Sequence, residues 1–156
     1  MPHPTPPICH VGIYRPKFAD NVGTLLRSVY QMGADAIFTI GHRYTRQKSD
    51  TYNVTKQIPI SHYDTTAQWL HAVQQSNPRP VIVGIEISGK TPLSTFVHPS
   101  HAIYLFGAED EGLPEEILSL CDQTICIESV RQASYNLAVA GSLVLYQRML
   151  QYQKTG

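Results

Sequence analysis

The stretch Ala102-Ile-Tyr-Leu-Phe-Gly107-Ala-Glu-Asp-Glu-Gly112-Leu-Pro114 joins an apolar run to an acidic turn between two glycines. The apolar run predicts a buried strand, and open α/β sheets bind their ligands where such strands end. The turn contains neither the lysine and hydroxyl of a phosphate loop nor the GxGxxG dinucleotide pattern, and its three carboxylates would repel a polyphosphate. It therefore favours a ligand that carries hydroxyls and a positive charge. A solvated structural turn is the alternative.

Around this stretch, predicted strands and helices alternate along the chain. Apolar runs predict strands at 8–14, 36–40, 81–87, 102–106 and 124–127, and helical spacing predicts helices from 20 or 21 to 32 and at 65–75, 114–120 and 136–151. Residues 1–7 are predicted to form an extended proline-rich tail, and 41–56 and 89–99 are predicted to be irregular. The pattern predicts one α/β domain over 1–156, with a mainly parallel sheet flanked by helices.

The last predicted helix is apolar in nearly every direction around its axis. A helix that is apolar all round is buried on all sides. Because an outer helix of a small α/β domain exposes one face, the pattern predicts a homodimer formed through this helix. A helix buried centrally within one subunit is the alternative. The apolar side chains concerned are Leu137, Ala138, Val139, Ala140, Leu143, Val144 and Leu145.

Twelve basic and twelve acidic residues give the chain a formal net charge of zero. A general nucleic-acid binder is usually basic, so binding of RNA would require a local patch, a dimer groove or a partner. Arg43, Arg46 and Lys48 are the best candidate RNA-binding residues, because basic side chains bind phosphate and Tyr44 between them can stack on a base. A merely solvated loop is the alternative.

Cysteines and histidines suggest neither a disulfide framework nor a metal site. Cys9, Cys121 and Cys126 have no CxxC spacing, which favours reduced thiols in a cytoplasmic protein. His98 and His101 are spaced HxxH without a third ligand nearby, so we expect structural or surface roles for them. The amino terminus has no signal-peptide pattern, and no apolar run is long enough to span a bilayer.

Two further polar elements accompany helices. Ser134 and Asn136 stand before the last helix, where free backbone N–H groups are available to a ligand or to a capping side chain. Arg27 lies about 100–140° from the apolar stripe of the first helix, given roughly 100° per residue. It can therefore enter a cleft and bind a phosphate through two hydrogen bonds. An ordinary surface arginine is the alternative.

In their order along the chain, these elements resemble the three motifs of the SpoU (TrmH) family of SPOUT methyltransferases. The motifs read Asn21-Val-Gly23-Thr-Leu-Leu-Arg27, Gly107-Ala-Glu109-Asp-Glu-Gly112-Leu113 and Ser134-Tyr135-Asn136-Leu137. Tyr135 departs from the leucine that is commoner in the family, which bears on packing beside the cofactor. The resemblance spans nearly the whole chain, which is similar to the minimal stand-alone members without RNA-binding extensions.

The resemblance implies a carboxyl-terminal trefoil knot, the SPOUT fold, which the general rules of chain connection would not suggest. It implies that S-adenosylmethionine binds in the knot in a bent form and that no metal is required. It also implies an obligate homodimer with active sites built from both subunits, in agreement with the apolar last helix. The implied cofactor-binding residues are Gly107, Glu109, Gly112, Leu113, Ile127, Ser134, Asn136 and Leu137.

The activity implied is methyl transfer to a ribose 2′-hydroxyl, with Arg27, Asn21, Glu109, Ser134 and Asn136 as catalytic residues. Because the pKa of free arginine lies above about 12, Arg27 is a poor base. We expect it to orient the hydroxyl and a neighbouring phosphate, while phosphate or water takes the proton. Asn21 would position Arg27 or the ribose, and Glu109 would hold the arginine or shape the site. Ser134 and Asn136 would support the cofactor and the acceptor ribose.

The substrate is expected to be transfer RNA, because minimal members of the family often act on it. Ribosomal RNA remains open, as does methylation of a base. The neutral charge favours a second interpretation, a non-catalytic RNA-binding module that retains the fold. A third interpretation, another α/β enzyme with a nucleotide cofactor, is disfavoured by the acidic turn and the missing phosphate motifs.

Overall fold

The computed structural model describes residues 7–45, 54–131 and 133–155 of the chain. Within them, seven strands form one sheet in the order β3-β2-β1-β6-β4-β7-β5, and every pairing between these strands is parallel. The strands are β1 (Ile8–Tyr14), β2 (Ala36–Ile40), β3 (Ile60–Tyr63), β4 (Val81–Ile85), β5 (Thr91–Pro92), β6 (His101–Phe106) and β7 (Gln123–Cys126). The helices are α1 (Ala19–Gln31), α2 (Val54–Gln57), α3 (Thr66–Gln75), α4 (Glu115–Leu118) and α5 (Leu137–Thr155). The predicted mainly parallel α/β fold is confirmed.

Helices cover both faces of this sheet. On one face, α1 and α5 pack over a core that includes Tyr104 and Phe106 of β6. On the other, α3 and α4 pack over a second core that includes Ile103 and Leu105 of the same strand. Because both faces of β6 are buried, its sequence is an unbroken apolar run rather than an alternation of apolar and polar residues.

The strand predicted at 81–87 ends at Ile85, two residues early. Ile85 is the last residue of β4 in register with β7, and Glu86 N–H still donates to the Ile125 carbonyl at 3.1 Å. The chain then turns, with Gly89 N–H donating to the Glu86 carbonyl at 2.9 Å. The residues Glu86 and Ile87 therefore lie beyond the strand, at the carboxyl edge of the sheet.

The first helix begins at Ala19 rather than at a capping Asp20 or Asn21. Its N-cap residue is Phe18, which makes no side-chain cap bond. The Asn21 side chain is engaged elsewhere, with Glu109 and Asn136, so it is not available as a cap. At the other end the helix stops at Gln31, one residue before the predicted end. Gly33 follows with a φ of +81° that glycine adopts without strain.

Several short elements differ from their predicted bounds. Pro114 is the N-cap of α4 and not its first residue, and the helix ends at Leu118. The predicted loop 89–99 contains β5 and a 3₁₀ turn, Leu93–Thr95. Helix α2 begins within the predicted irregular segment 41–56 and ends one residue beyond it. The edge strand β3 had no predicted counterpart, because its sequence Ile-Ser-His-Tyr contains no apolar run.

The last helix buries only one of its faces in this chain. Its buried side packs against α1, where the Ser28 and Ser142 hydroxyls are 2.6 Å apart. Val139, Leu143 and Tyr146 remain 47%, 38% and 49% exposed on the other side. The alternative of a helix buried centrally within one subunit is therefore wrong, and an apolar face of α5 is left without cover.

A hydrogen-bonded chain of buried side chains fastens α5 to the sheet. Arg148 donates to the Tyr104 hydroxyl at 3.2 Å and to the Ser100 carbonyl at 2.9 Å. The Tyr104 hydroxyl lies 2.6 Å from His98 Nδ1, and His98 Nε2 lies 2.6 Å from Gln147 Oε1. A neutral histidine with its proton on Nε2 satisfies both contacts. His98 therefore has the structural role expected of it.

Acidification is expected to destabilise the protein through His98. Burial, together with the nearby Arg148 charge, lowers the pKa of this imidazole, although its bond to Gln147 opposes the shift. The unfolded chain, with a histidine pKa near 6.5, therefore binds more protons, and stability falls as pH drops below that value. Melting temperatures from pH 7.5 to 5 should fall less steeply for His98→Gln than for the wild type. Equal slopes would contradict this.

Among the described residues, no helix is long and apolar enough to cross a membrane, and no cluster of three or more His, Cys, Asp or Glu side chains could hold a metal ion. The cysteines Cys9, Cys121 and Cys126 are free thiols. Burial raises the pKa of the Cys9 thiol to about 12 and that of Cys121 to about 11, so both stay protonated at neutral pH.

Candidate functional site

The neighbouring strands β6, β4 and β7 end side by side at a cleft of about 250 Å³. The acidic turn after β6 forms one wall, and the segment that connects β7 to α5 forms another. Apolar side chains from the strand ends lie between them. Six of the residues expected to bind cofactor line this cleft: Gly107, Glu109, Gly112, Ile127, Ser134 and Leu137.

The acidic turn is folded too tightly to admit side chains at its two glycines. A Cβ at Gly107 would lie 2.1 Å from the carbonyl carbon of Gly112 and 2.4 Å from the Leu113 nitrogen. Gly112 has a φ of +66°, and its N–H donates to the Ala108 carbonyl at 2.8 Å. The two glycines therefore let the turn close on itself at the edge of the cleft.

Leu113 and Asn136 differ from the other expected cofactor-binding residues, because neither lines the cleft. Leu113 is buried beneath the turn. Asn136 caps α5, since its Oδ1 accepts from Ala138 N–H at 2.9 Å and Val139 N–H at 3.4 Å. Of the two predicted caps, Asn136 is therefore the one used, and Ser134 is left exposed at the cleft.

Side chains from all three motifs meet in one hydrogen-bonded chain. Asn136 Nδ2 donates to Asn21 Oδ1 at 2.9 Å, and Asn21 Nδ2 donates to Glu109 Oε1 at 3.1 Å. The other carboxylate oxygen of Glu109, Oε2, is buried and has no hydrogen-bond partner within the described structure. A buried acceptor of this kind is costly to leave unmet, so Oε2 marks a place for a donor from a ligand.

Lys17 was not predicted as part of the site. Its Nζ contacts Asp110 Oδ2 at 2.9 Å and Glu111 Oε1 at 3.3 Å. Its hydrogen bond lowers the pKa of Asp110, and the two carboxylates raise the pKa of Lys17 in return. Lys17 therefore offsets part of the negative charge of the turn, so the repulsion of a polyphosphate is weaker than three unpaired carboxylates would give.

Glu86 is a second residue that the sequence prediction missed. Its carboxylate lies at the cleft, where Oε2 accepts from Leu113 N–H at 2.7 Å and Oε1 from Ile87 N–H at 3.0 Å. Among the residues that the structure describes, no cation lies within salt-bridge distance of Glu86 or Glu109. The available signal was a single acid directly after the apolar run Val81–Ile85.

Neither of the candidate arginines that the structure describes lines the cleft. Arg27 is exposed on α1 and is not among the residues that line the cleft. The carboxylate of Glu109 contacts Asn21 and not Arg27. Arg43 is exposed after β2, 3.7 Å from Asp64. Arg46 and Lys48 lie outside the described residues.

The cleft combines apolar walls with the carboxylates of Glu86 and Glu109, which form no salt bridge within the described residues. This combination suits a ligand with a flat apolar part, hydroxyls and positive charge. The fold and the cleft define a parallel α/β protein that binds its ligand at the carboxyl ends of its strands. The sequence model of the SpoU rRNA Methylase family matches residues 9–146, and the chain belongs to this family.

Two relatives by sequence act on different RNAs. A 23S rRNA (uridine(2479)-2′-O)-methyltransferase of Streptomyces viridochromogenes is 25% identical over 145 residues, which cover 88% of this chain and 50% of the relative. A tRNA (cytidine(34)-2′-O)-methyltransferase of Beijerinckia indica subsp. indica is 27% identical over 149 residues, which cover 90% of each chain. This chain thus spans about half of the first relative and nearly all of the second.

Solved structures share the fold. One, described as giving structural insights into the 2-OH methylation of C/U34 on tRNA, has a TM-score of 0.83 at 23% identity and covers 96% of this chain and 99% of its own. The SpoU methyltransferase AviRb of Streptomyces viridochromogenes in complex with AdoMet has a TM-score of 0.82 at 22% identity, with 97% and 60% covered. The predicted family of RNA methylases and the predicted fold are confirmed. The knot stays a prediction.

Proposed function

We propose that this chain transfers a methyl group from S-adenosylmethionine to a ribose 2′-hydroxyl of RNA, with transfer RNA as the preferred substrate and ribosomal RNA as the alternative. The observation that carries the proposal is the chain of contacts from Asn136 through Asn21 to Glu109, which gathers three separate motifs beside the cleft. The names of the two relatives support 2′-O chemistry, and the relative that is matched along nearly its whole length acts on transfer RNA.

The cleft fits S-adenosylmethionine in shape and charge. Ile127 and Leu137 offer apolar contact to a base, and Gly107 and Gly112 bring backbone close to the ligand. The excess of carboxylates suits a sulfonium, because fixed negative charges at a cleft attract a positively charged ligand. When bound, the cofactor supplies the electrophilic methyl group.

The acceptor ribose would be held by polar groups of the motifs. Asn21 is fixed at both ends of its amide, and it holds Glu109 so that the buried Oε2 is available to a donor from the ribose. Ser134 lies exposed at the cleft to support cofactor and ribose, while Asn136 fixes the start of α5. Alignment of the hydroxyl with the methyl group accounts for much of the rate.

Arg27 would orient the 2′-hydroxyl and the adjoining phosphate rather than accept a proton. A guanidinium stays protonated at neutral pH and has no acceptor atom, but it can bind phosphate through two parallel hydrogen bonds. The proton of the hydroxyl would pass to phosphate or water. Arg43, with Arg46 and Lys48 of the neighbouring segment, would bind more distant phosphates.

The active unit would be a homodimer formed through α5, located in the cytoplasm and built from one domain per chain. The uncovered residues Val139, Leu143 and Tyr146 recur at spacings of four and three, so they share one face of the helix. Large apolar side chains on one face are typical of a protein interface. Arg27 lies on α1, which packs against α5. Pairing of the uncovered α5 faces of two subunits would therefore bring Arg27 towards the partner subunit.

Leu143→Asp is expected to convert the dimer to a monomer, because a charge at the centre of an apolar interface leaves an unpaired buried carboxylate. Light scattering after gel filtration should show half the mass of the wild type, and methyl transfer should fall at least about tenfold if both subunits form the site. Val97→Asp, which alters an apolar residue of 78% exposure elsewhere, is the control and should keep the wild-type mass. A monomeric wild type would contradict the proposal.

The activity itself is tested by transfer of labelled methyl groups from S-adenosylmethionine to total RNA, followed by nucleoside mass spectrometry. A 2′-O-methyl nucleoside in the transfer RNA fraction is expected. Label in ribosomal RNA alone would show that ribosomal RNA, not transfer RNA, is the substrate. A methylated base would show that the methyl acceptor is a base rather than a ribose. Binding of RNA without label in any pool would identify the non-catalytic module instead.

A further inference from the structure

Glu86 lies between the two walls of the cleft. Its strand, β4, runs between β6 and β7, so Glu86 is flanked by the acidic turn on one side and by the segment after β7 on the other. Asn21 and Glu109, which would hold the acceptor ribose, lie on the α1 side of the acidic turn. This arrangement places Glu86 on the side of the cofactor, away from the acceptor group.

Neutral donors fix the orientation of the Glu86 carboxylate. Each oxygen accepts one backbone N–H, from Leu113 at 2.7 Å and from Ile87 at 3.0 Å. Gly112 lies directly against it, since a Cβ there would come within 2.3 Å of Oε2. A carboxylate has about four acceptor sites, so each oxygen keeps capacity for one more donor. Neither of its present backbone donors carries a formal charge.

We propose that Glu86 is a cofactor-binding residue that accepts hydrogen bonds from the ribose hydroxyls of S-adenosylmethionine. This inference rests on the proposed function. Two neighbouring hydroxyls match two fixed oxygens, and an acidic residue at a strand end serves ribose in other α/β folds. Attraction to the sulfonium would require only the charge of a carboxylate, in any orientation. The two backbone hydrogen bonds of Glu86 hold its carboxylate in one orientation, and hydrogen bonds, unlike charge attraction, depend on orientation.

The wild-type chain provides the first test, by calorimetry with S-adenosylhomocysteine and its 2′-deoxy and 3′-deoxy forms. A hydrogen bond to a charged acceptor predicts that removal of a bonded hydroxyl weakens binding about tenfold or more. Weakening at either position supports the proposal and identifies the hydroxyl. Equal affinities for all three ligands would overturn it. A wild type that binds neither S-adenosylhomocysteine nor S-adenosylmethionine would overturn the proposed function as well.

The second test is Glu86→Gln, which keeps the size of the side chain and removes its charge. The affinities for S-adenosylmethionine and S-adenosylhomocysteine should both fall about tenfold. The deoxy form that lacks the bonded hydroxyl should bind the variant as tightly as it binds the wild type. If the affinity for every ligand fell equally, the role of Glu86 would be to support the turn. If only the affinity for S-adenosylmethionine fell, Glu86 would interact with the sulfonium. Either result overturns the proposal.

Glu111→Gln is the matched control, because it removes the same charge from the same cleft at a side chain that is 72% exposed. It should keep the wild-type discrimination against the deoxy ligands. Thermal melting of each variant separates binding from folding. If Glu86→Gln does not fold, Glu86→Asp, which keeps the charge but withdraws it by one methylene, should show the same loss of discrimination.

Discussion

Arg27→Ala is expected to lower the rate of methyl transfer about 100- to 1,000-fold, the range found when a charged or donating group that stabilises a transition state is removed. Binding of S-adenosylmethionine should stay within about twofold of the wild type, because Arg27 does not line the cleft. The measurement is single-turnover methyl incorporation into RNA, combined with calorimetry of the cofactor.

Two further arginine variants sharpen this result. Arg27→Lys keeps the charge but not the planar pair of donors, so it should recover only a small part of the rate. Arg79→Ala removes an exposed arginine that pairs with Asp122 at 2.9 Å near the start of β4, away from the cleft, and should leave the rate unchanged. An Arg27→Ala enzyme with full activity would remove this residue from the mechanism.

Gly107→Ala is expected to weaken cofactor binding at least about tenfold, because the added methyl group would be forced against neighbouring backbone atoms. The added methyl would meet the Gly112 carbonyl carbon at 2.1 Å and the Leu113 nitrogen at 2.4 Å, and backbone cannot rotate away as a side chain can. The turn must open, which displaces the residues around the cleft. Calorimetry with S-adenosylmethionine measures the loss, and activity should fall with it.

Gly33→Ala is the matched control for this variant. Gly33 has a φ of +81° but nothing within 4 Å of an added Cβ, so alanine there costs backbone strain of about 1–2 kcal/mol without contact to the cleft. Its melting temperature should fall while its cofactor affinity stays that of the wild type. If Gly107→Ala bound the cofactor normally, the tight turn would not be required for binding.

The predicted elements agree best with the structure where neighbouring residues alone decide the local conformation. The runs that form β1 and β2 and the helical spacing of α1 and α3 are strong signals within a few residues, and their predicted bounds agree with the structure to within about two residues. The edge strand β3 has no such signal, because its side chains are only partly buried. Its extended form depends on pairing with β2, which lies more than 20 residues earlier in the chain.

The candidate site also contains features that depend on neighbouring residues and features that depend on distant ones. The three motifs, the two glycines and the cap at Asn136 are readable in order along the chain, because each depends on neighbouring residues. Lys17 and Glu86 are not, since their roles depend on partners 93 and 27 residues away. Nothing near Glu86 in sequence indicates that its carboxylate binds the backbone at Leu113.

By itself, the sequence determined the parallel α/β class, the family and the residues of the three motifs, because periodicity, glycine positions and motif spacing are properties of short segments. Only the tertiary structure decided that α5 leaves Val139, Leu143 and Tyr146 uncovered, and that Asn21 joins Glu109 to Asn136 across 88 and 115 residues. The acidic turn after β6 faces Glu86 only because β4 is its neighbour in the sheet. Strand order results from the packing of both faces against helices, an energy summed over the whole core that no short segment contains.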